Sequence, residues 1–199
     1  MGSSDKIESA MGEKLLTIFQ KIEELEDPLK RRLLALAVLT KRLEEEDYQP
    51  VLIGGFALEY YTLGGYTTTD VDIALPSSPR IDAIFSEFGF KKEGRFWFHQ
   101  EYDLLFEAPT SKLEGENAPL TEVEIEGLKC YIIGVEDLII DRLNGFAYWN
   151  WQDDKRWAIR LLELNRDKLD LNYLKKRAKD ESTLKALQGI LEEIKYEKS

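Results

Sequence analysis

Two aspartates, Asp70 and Asp72, lie two positions apart in an otherwise apolar stretch, and their type and spacing point to chemistry. On a β-strand, residues two apart share a face, so these carboxylates project together while Val71 and Ile73 point into the core. Like charges this close are costly unless a cation lies between them, and hard divalent ions prefer carboxylate oxygens. The pair therefore predicts a site for Mg²⁺ or Mn²⁺.

A second feature precedes the aspartates at Gly54 and Gly55. The apolar run 51–53 predicts a buried strand, the glycines predict a turn, and residues 56–62 predict a short helix before the strand that carries the aspartates. Glycine lets the backbone approach a ligand closely, and the positive N-terminus of a helix favours anions. The pattern predicts a phosphate cradle that faces the metal site.

This order of features resembles the nucleotidyltransferase superfamily, which has the DNA polymerase β-like fold. Gly54, Gly55, Asp70 and Asp72 match the superfamily pattern residue by residue. One departure is that no Ser occupies the second glycine position, so a hydroxyl contact to phosphate is missing. Double-glycine members are common among the small stand-alone and toxin-antitoxin-associated branches, so the departure bears on the branch more than on the class.

The resemblance implies an enzyme that moves a nucleoside monophosphate from a nucleoside triphosphate to a hydroxyl acceptor by a two-metal mechanism. Asp70 and Asp72 would hold two Mg²⁺ ions, and the amides of Gly54 and Gly55 would contact the triphosphate. The sequence leaves the acceptor open among a small molecule, a tRNA 3′ end and a protein. The alternative is a catalytically inactive descendant that acts as a nucleotide-binding or antitoxin-like partner protein.

The resemblance also requires a third carboxylate on a later strand, and the stretch YDLLFEA at 102–108 offers two. With period two, Asp103, Leu105 and Glu107 share one face of the predicted strand, so both acids are eligible. Glu107 is favoured because FHQEYDLLFEAP resembles a branch of small nucleotidyltransferases with His, an apolar strand, Glu and then Pro. Asp103 is the alternative.

Further nucleotide contacts follow from the same resemblance. Arg142 would hold a phosphate or nucleotide, or it would pair with Asp141 or Asp137 at helix spacing. Thr69, one of the two threonines before it, or Arg80 would add a phosphate contact.

The remaining pattern predicts an α/β fold, with a mixed β-sheet nucleotidyltransferase core backed by helices. N-terminal helices packed on this core are expected within 1–48, the α/β core within 49–134, and a helical region within 135–199. Asp27-Pro28 predicts the end of one N-terminal helix and the start of the next. Arg32 is expected on the exposed side of that second helix.

Three tryptophans, Trp149, Trp151 and Trp157, fit either base stacking or the core of the C-terminal helices. Helical spacing favours core packing, because Trp157 recurs with Leu161 and Leu164. An apolar stripe on the last predicted helix allows a homodimer.

Composition excludes several other classes. The net charge of −11 argues against sequence-independent binding of nucleic acid, which rests on Lys and Arg. A single cysteine, Cys130, permits no internal disulfide and fits a reducing, cytoplasmic location, while its apolar strand predicts an inert core thiol. The lone His99 cannot build a multi-histidine site. No signal peptide or apolar run of membrane-spanning length is present, so no membrane contact is expected.

Overall fold

The computed structural model describes residues 3–114 and 118–196. Within these ranges, one seven-stranded sheet and eight α-helices confirm the predicted α/β class. The strands are β1 Val51–Leu52, β2 Asp70–Ala74, β3 Lys91–Glu93, β4 Phe96–His99, β5 Leu104–Thr110, β6 Leu120–Ile125 and β7 Leu128–Ile133. The helices are α1 Ser3–Gln20, α2 Pro28–Glu44, α3 Gly54–Tyr61, α4 Pro79–Glu87, α5 Val135–Trp149, α6 Gln152–Leu164, α7 Leu171–Asp180 and α8 Leu184–Tyr196.

The sheet is mixed, with the strand order β3-β4-β5-β2-β1-β7-β6. Strand β1 is antiparallel to β2 and parallel to β7, β2 is parallel to β5, and the outer pairs are antiparallel. Parallel neighbours need a long crossover, which α4 and the β3–β4 hairpin supply between β2 and β5. The resulting register places Glu107 beside Asp72, although the two are far apart in the sequence.

The two faces of β2 differ in burial. Val71 and Ile73 are fully buried, whereas Asp70 and Asp72 on the opposite face are partly exposed. Helix α2 packs against β6, β7 and α4, with α1 beside it, and α3 packs against β2 and α5. The alternation of burial along β2 therefore leaves the two carboxylates on an open face.

Helices α2 and α4 begin in the same way, with a capping side chain followed by proline. The side-chain oxygens of Asp27 and Ser78 accept hydrogen bonds from first-turn N–H groups at 2.9 and 3.2 Å. Pro28 and Pro79 occupy the first helical position, where the missing N–H costs nothing. The helix start predicted at Asp27-Pro28 is confirmed.

None of the helices in the described ranges combines the length and apolarity that crossing a membrane requires.

The strand predicted over 102–108 begins two residues later than expected, at Leu104. Asp103 lies in the preceding turn with φ +50°, in the left-handed region. Period-two alternation applies only within the strand, so the inference that Asp103 shares a strand face with Glu107 is wrong.

The prediction of core packing applies to only one of the three tryptophans. Trp157 packs against the core and meets the Tyr66 ring edge-on, with centroids 5.2 Å apart. Trp149 and Trp151 are 62% and 58% exposed and stack on each other. Because α5 ends at Trp149 and Asn150 adopts φ +56°, both indoles lie around a turn to which helical spacing does not apply.

Cys130 lies in β7 and is fully buried, and burial raises its pKa to about 12. Since the thiolate is the reactive form, we expect no reaction of the native protein with a thiol-specific disulfide reagent at pH 8, and one thiol per chain in guanidinium. A matched control is Ser111→Cys in a Cys130→Ala background, because residue 111 is exposed and its thiol should react at once. Rapid stoichiometric labelling of native wild-type protein would contradict the burial of Cys130.

Candidate active site

Three carboxylates meet on the open face of the sheet. Asp70 and Asp72 come from β2, and Glu107 comes from β5, directly across from Asp72 in the parallel register. One oxygen from each of the three lies within 4.8 Å of the others. No other group of three His, Cys, Asp or Glu side chains with this spacing occurs in residues 11–114 and 118–195, whose side chains the structure describes.

The negative charges of this cluster repel one another, and a bound cation would offset the repulsion. The pKa of Asp72 is raised to about 6, first by burial and then by the charges of Asp70 and Glu107. A hydrogen bond from the Gly55 N–H and the charge of Arg142 oppose this shift. Three oxygen-donor carboxylates under mutual repulsion are a donor set that suits Mg²⁺ or Mn²⁺, so the residues fit the predicted metal.

Gly54 is required by its close approach to Asp72. Its φ is +63°, and a Cβ built on it would lie 2.3 Å from Oδ2 of Asp72. Any other residue would be strained and would displace the carboxylate. Gly55 follows at the start of α3 and directs its N–H to the same carboxylate, so the positive end of the helix faces the cluster.

A buried ion pair that the sequence did not reveal positions the loop before Asp70. Arg32 donates to Oε1 of Glu59 at 2.7 Å and to the carbonyl oxygen of Thr68 at 2.6 Å. Oε2 of Glu59 accepts the Thr68 N–H at 3.3 Å, and the Thr68 hydroxyl donates to Asp70. The expectation that Arg32 is exposed is wrong. A signal for the pair was available, because Glu59 is a lone acid within the apolar helix segment GGFALEYY.

The other predicted ligands lie in different surroundings. Thr69 is exposed, and its neighbour Thr68 makes the contact with Asp70. Asp103 lies outside the carboxylate cluster.

Arg142 is held by two carboxylates. It pairs with Asp141, one of the two partners expected, and with Asp154 at 2.9 Å. The other expected partner, Asp137, pairs instead with Arg177 at 2.9 Å. The charge of Arg142 still lowers the pKa of Asp72, so it contributes to the site through the field rather than through a contact.

A cleft of about 550 Å³ opens beside Asp72 and Gly54. Its walls come from α5, from the C-terminal end of α7 and from the segment after β5. Asn144 lines the cleft, and its buried Oδ1 has no hydrogen-bond partner among the described residues. The charged groups lining the cleft are the carboxylates Asp72, Glu114, Asp137, Asp141 and Glu181 and the cations Lys112 and Arg177.

The cleft is anionic because its carboxylates outnumber its cations. Arg177 is engaged by Asp137 at 2.9 Å and by Glu181 at 3.1 Å, so its charge is already neutralised within the wall.

Comparison with known proteins identifies the fold. No protein-family model matches the chain, and no curated protein matches it. Among solved structures, the chain is similar to an antigenic nucleotidyltransferase-like protein from Paracoccidioides brasiliensis, at 18% identity and TM-score 0.52, over 81% of this chain and 94% of that one. It is also similar to the antibiotic-resistance factor ANT(2'')-Ia, at 20% identity and TM-score 0.45 over the same shares. The first similarity shows that the chain has the nucleotidyltransferase fold.

Replacing Gly54 with alanine tests the close approach to Asp72. We expect Gly54→Ala to weaken Mn²⁺ binding by about tenfold or more, measured by titration calorimetry, because the new Cβ displaces a ligand oxygen. The substitution should also lower the free energy of unfolding by about 1–3 kcal/mol, because alanine is strained at the positive φ of this position. Gly64→Ala is the matched control, since Gly64 has φ +80° and, among the described residues other than its chain neighbours, no atom lies within 4 Å of its Cβ position. It should lose comparable stability and keep its Mn²⁺ affinity. Equal affinities for both variants would contradict this role of Gly54.

The raised pKa of Asp72 predicts how its carboxylate affects stability. When the pKa of a carboxyl group rises on folding, ionisation of that group lowers the free energy of unfolding. For Asp72 this destabilising effect is absent below about pH 4, where the group is protonated, and complete above about pH 6, where it is ionised. In metal-free buffer at pH 8, we expect Asp72→Asn to melt about 2–4 °C above wild type, for a screened gain of about 1 kcal/mol. The difference should vanish near pH 4.

The control for this measurement is Asp167→Asn, which removes an exposed charge. It should leave the melting temperature unchanged at both pH values. A lower melting temperature for Asp72→Asn at pH 8 would show that the carboxylate stabilises the metal-free fold.

Proposed function

We propose that this chain is a metal-dependent nucleotidyltransferase that moves a nucleoside monophosphate from a nucleoside triphosphate to the hydroxyl group of an acceptor. The observation that carries the proposal is the meeting of Asp70, Asp72 and Glu107 at the N-terminus of α3. The nucleotidyltransferase fold supports it, because that fold presents the cluster on an open sheet face beside a cleft.

The three carboxylates would hold Mg²⁺, which when bound would neutralise the charge that grows on the entering and leaving oxygens. The N-terminus of α3 would attract the triphosphate through the helix dipole, since the Gly55 N–H is already engaged by Asp72. The Arg32–Glu59 pair would fix the geometry of Asp70 through Thr68.

Glu107 is the general base in this proposal. Its carboxylate accepts the proton of the acceptor hydroxyl, which then attacks the α-phosphorus while pyrophosphate leaves. Glu107 is 7% exposed, so the proton acceptor is largely shielded from bulk water.

The acceptor would lie in the cleft. The cleft opens beside Asp72 and Gly54, next to the three carboxylates, so a hydroxyl group bound in it would lie near the metal site. The volume of the cleft suits a small molecule, and its excess of carboxylates repels a polyanion such as the 3′ end of a tRNA. A small hydroxylated molecule without negative charge is therefore the acceptor class we propose.

Calorimetric titration of each nucleoside triphosphate, with Mg²⁺ present, tests the proposal. We expect binding to wild type that requires Mg²⁺ and that Asp70→Asn or Glu107→Gln removes, because each substitution takes a ligand from the cluster. Asp103→Asn is the matched control and should bind as wild type does, since Asp103 lies outside the cluster.

Transfer is then measured by mass spectrometry over a panel of small hydroxylated acceptors, where we expect Asp70→Asn and Asp72→Asn to lose about 10²–10³-fold or more in rate. Absence of Mg²⁺-dependent binding for all four common triphosphates would contradict the proposal and favour the inactive, partner-binding alternative.

A further inference from the structure

We propose that Arg95 is a phosphate-binding residue of this site and that it is exchanged from Glu107 onto the nucleotide triphosphate when a divalent ion binds. The inference rests on the proposed function and assigns a role to a residue that the sequence pattern did not mark. Arg95 lies in the tight turn between β3 and β4, directly after Gly94.

The contact that suggests this role joins two groups of unequal exposure. Nε of Arg95 lies 2.8 Å from Oε1 of Glu107. The Glu107 side chain is 9% exposed, whereas the Arg95 side chain is 68% exposed. A nearly buried carboxylate of the cluster is therefore neutralised by a guanidinium that reaches in from solvent.

The Arg95 guanidinium acts as a counter-charge at the edge of the cluster. Without a metal ion, three carboxylates lie within 4.8 Å of one another, and the guanidinium offsets part of their repulsion. A divalent ion bound by Glu107 competes with Arg95 for the negative charge of the carboxylate, so the attraction between Glu107 and Arg95 weakens. Metal binding therefore allows the guanidinium to leave Glu107 and remain beside the cluster.

The freed side chain can move at little cost. Apart from Glu107, its guanidinium lies 5.2 Å from the centroid of the Phe96 ring, and the rest of the side chain faces solvent. A planar guanidinium matches two phosphate oxygens at once, and such charge-assisted pairs are strong. A triphosphate brings the negative charge that Glu107 no longer offers once it binds metal.

Other arginines near the cluster are committed elsewhere. Arg32 is held by Glu59 and the Thr68 carbonyl, with both side chains of the ion pair 9% exposed. Arg142 is held by Asp141 and Asp154. Neither pair includes a carboxylate of the metal cluster, so metal binding does not release these guanidinium groups. Arg95 differs because its partner is itself a candidate metal ligand.

This exchange predicts opposite effects on two ligands. Arg95 should oppose the binding of a metal ion alone and favour the binding of a triphosphate once the metal is present. The probes are Mn²⁺ alone and inorganic tripolyphosphate at saturating Mn²⁺, both titrated by calorimetry. Tripolyphosphate is chosen because it carries no base and reports on phosphate contacts only.

We expect Arg95→Ala to bind Mn²⁺ alone about threefold or more tighter than wild type and to bind tripolyphosphate about tenfold or more weaker. Arg95→Lys keeps the charge but not the planar fork, so its Mn²⁺ affinity should stay near wild type and its tripolyphosphate affinity should fall partway. Lys91→Ala removes one exposed charge from β3 of the same hairpin and should change neither affinity.

The inference would be overturned if Arg95→Ala bound both Mn²⁺ and tripolyphosphate more weakly than wild type, or bound both with unchanged affinity. A purely structural role would change the two affinities in the same direction, and an inert residue would change neither. An unchanged melting temperature for the variant excludes unfolding as the cause. Failure of wild type to bind Mn²⁺ at all would instead overturn the metal site itself. Binding of Mn²⁺ and tripolyphosphate by wild type, with no opposite shift in Arg95→Ala, overturns the role of Arg95 alone.

Discussion

The repulsion among Asp70, Asp72 and Glu107 is the constraint on which the local structure depends. The parallel register of β2 and β5 brings the three carboxylates within 4.8 Å of one another. Apolar neighbours cannot lower the electrostatic repulsion among them. Several features around them act as compensation: the Gly55 N–H at the start of α3, the charge of Arg142, and the guanidinium of Arg95. A divalent ion bound by these carboxylates would offset their repulsion and would stabilise the folded chain.

The compensation extends into the helical layer through a buried ion pair. Arg32 of α2 and Glu59 of α3 hold the loop that ends at Asp70, and Thr68 links them to the carboxylate itself. Buried ion pairs seldom stabilise a fold more than apolar packing would. The pair instead fixes one position of the loop, because each of its polar atoms has a directional partner there. The fold thereby connects the N-terminal helices to the geometry of the candidate site.

Charge is distributed unequally around the carboxylates. The N-terminus of α3 and the hairpin turn with Arg95 offer positive groups, whereas the cleft beside Asp72 has a surplus of carboxylates. The positive groups would attract an anionic triphosphate, and the cleft would favour an acceptor without negative charge. The net charge of −11 fits this arrangement, since no extended basic surface is needed for a small acceptor.

Local rules explain what the sequence determined by itself. Period-two alternation placed Asp70 and Asp72 on one face, and the Asp27-Pro28 pair marked a helix start, because each depends on a few neighbouring residues. Tertiary structure alone decided the rest. It placed Glu107 rather than Asp103 beside the aspartates, buried Arg32 against Glu59, left Trp149 and Trp151 in solvent, and brought Arg95 to Glu107. Each of these depends on strand register, on where a turn begins, or on a partner from a distant element. A local pattern can mark a candidate residue, such as the lone acid Glu59 in its apolar helix, but it does not identify the partner.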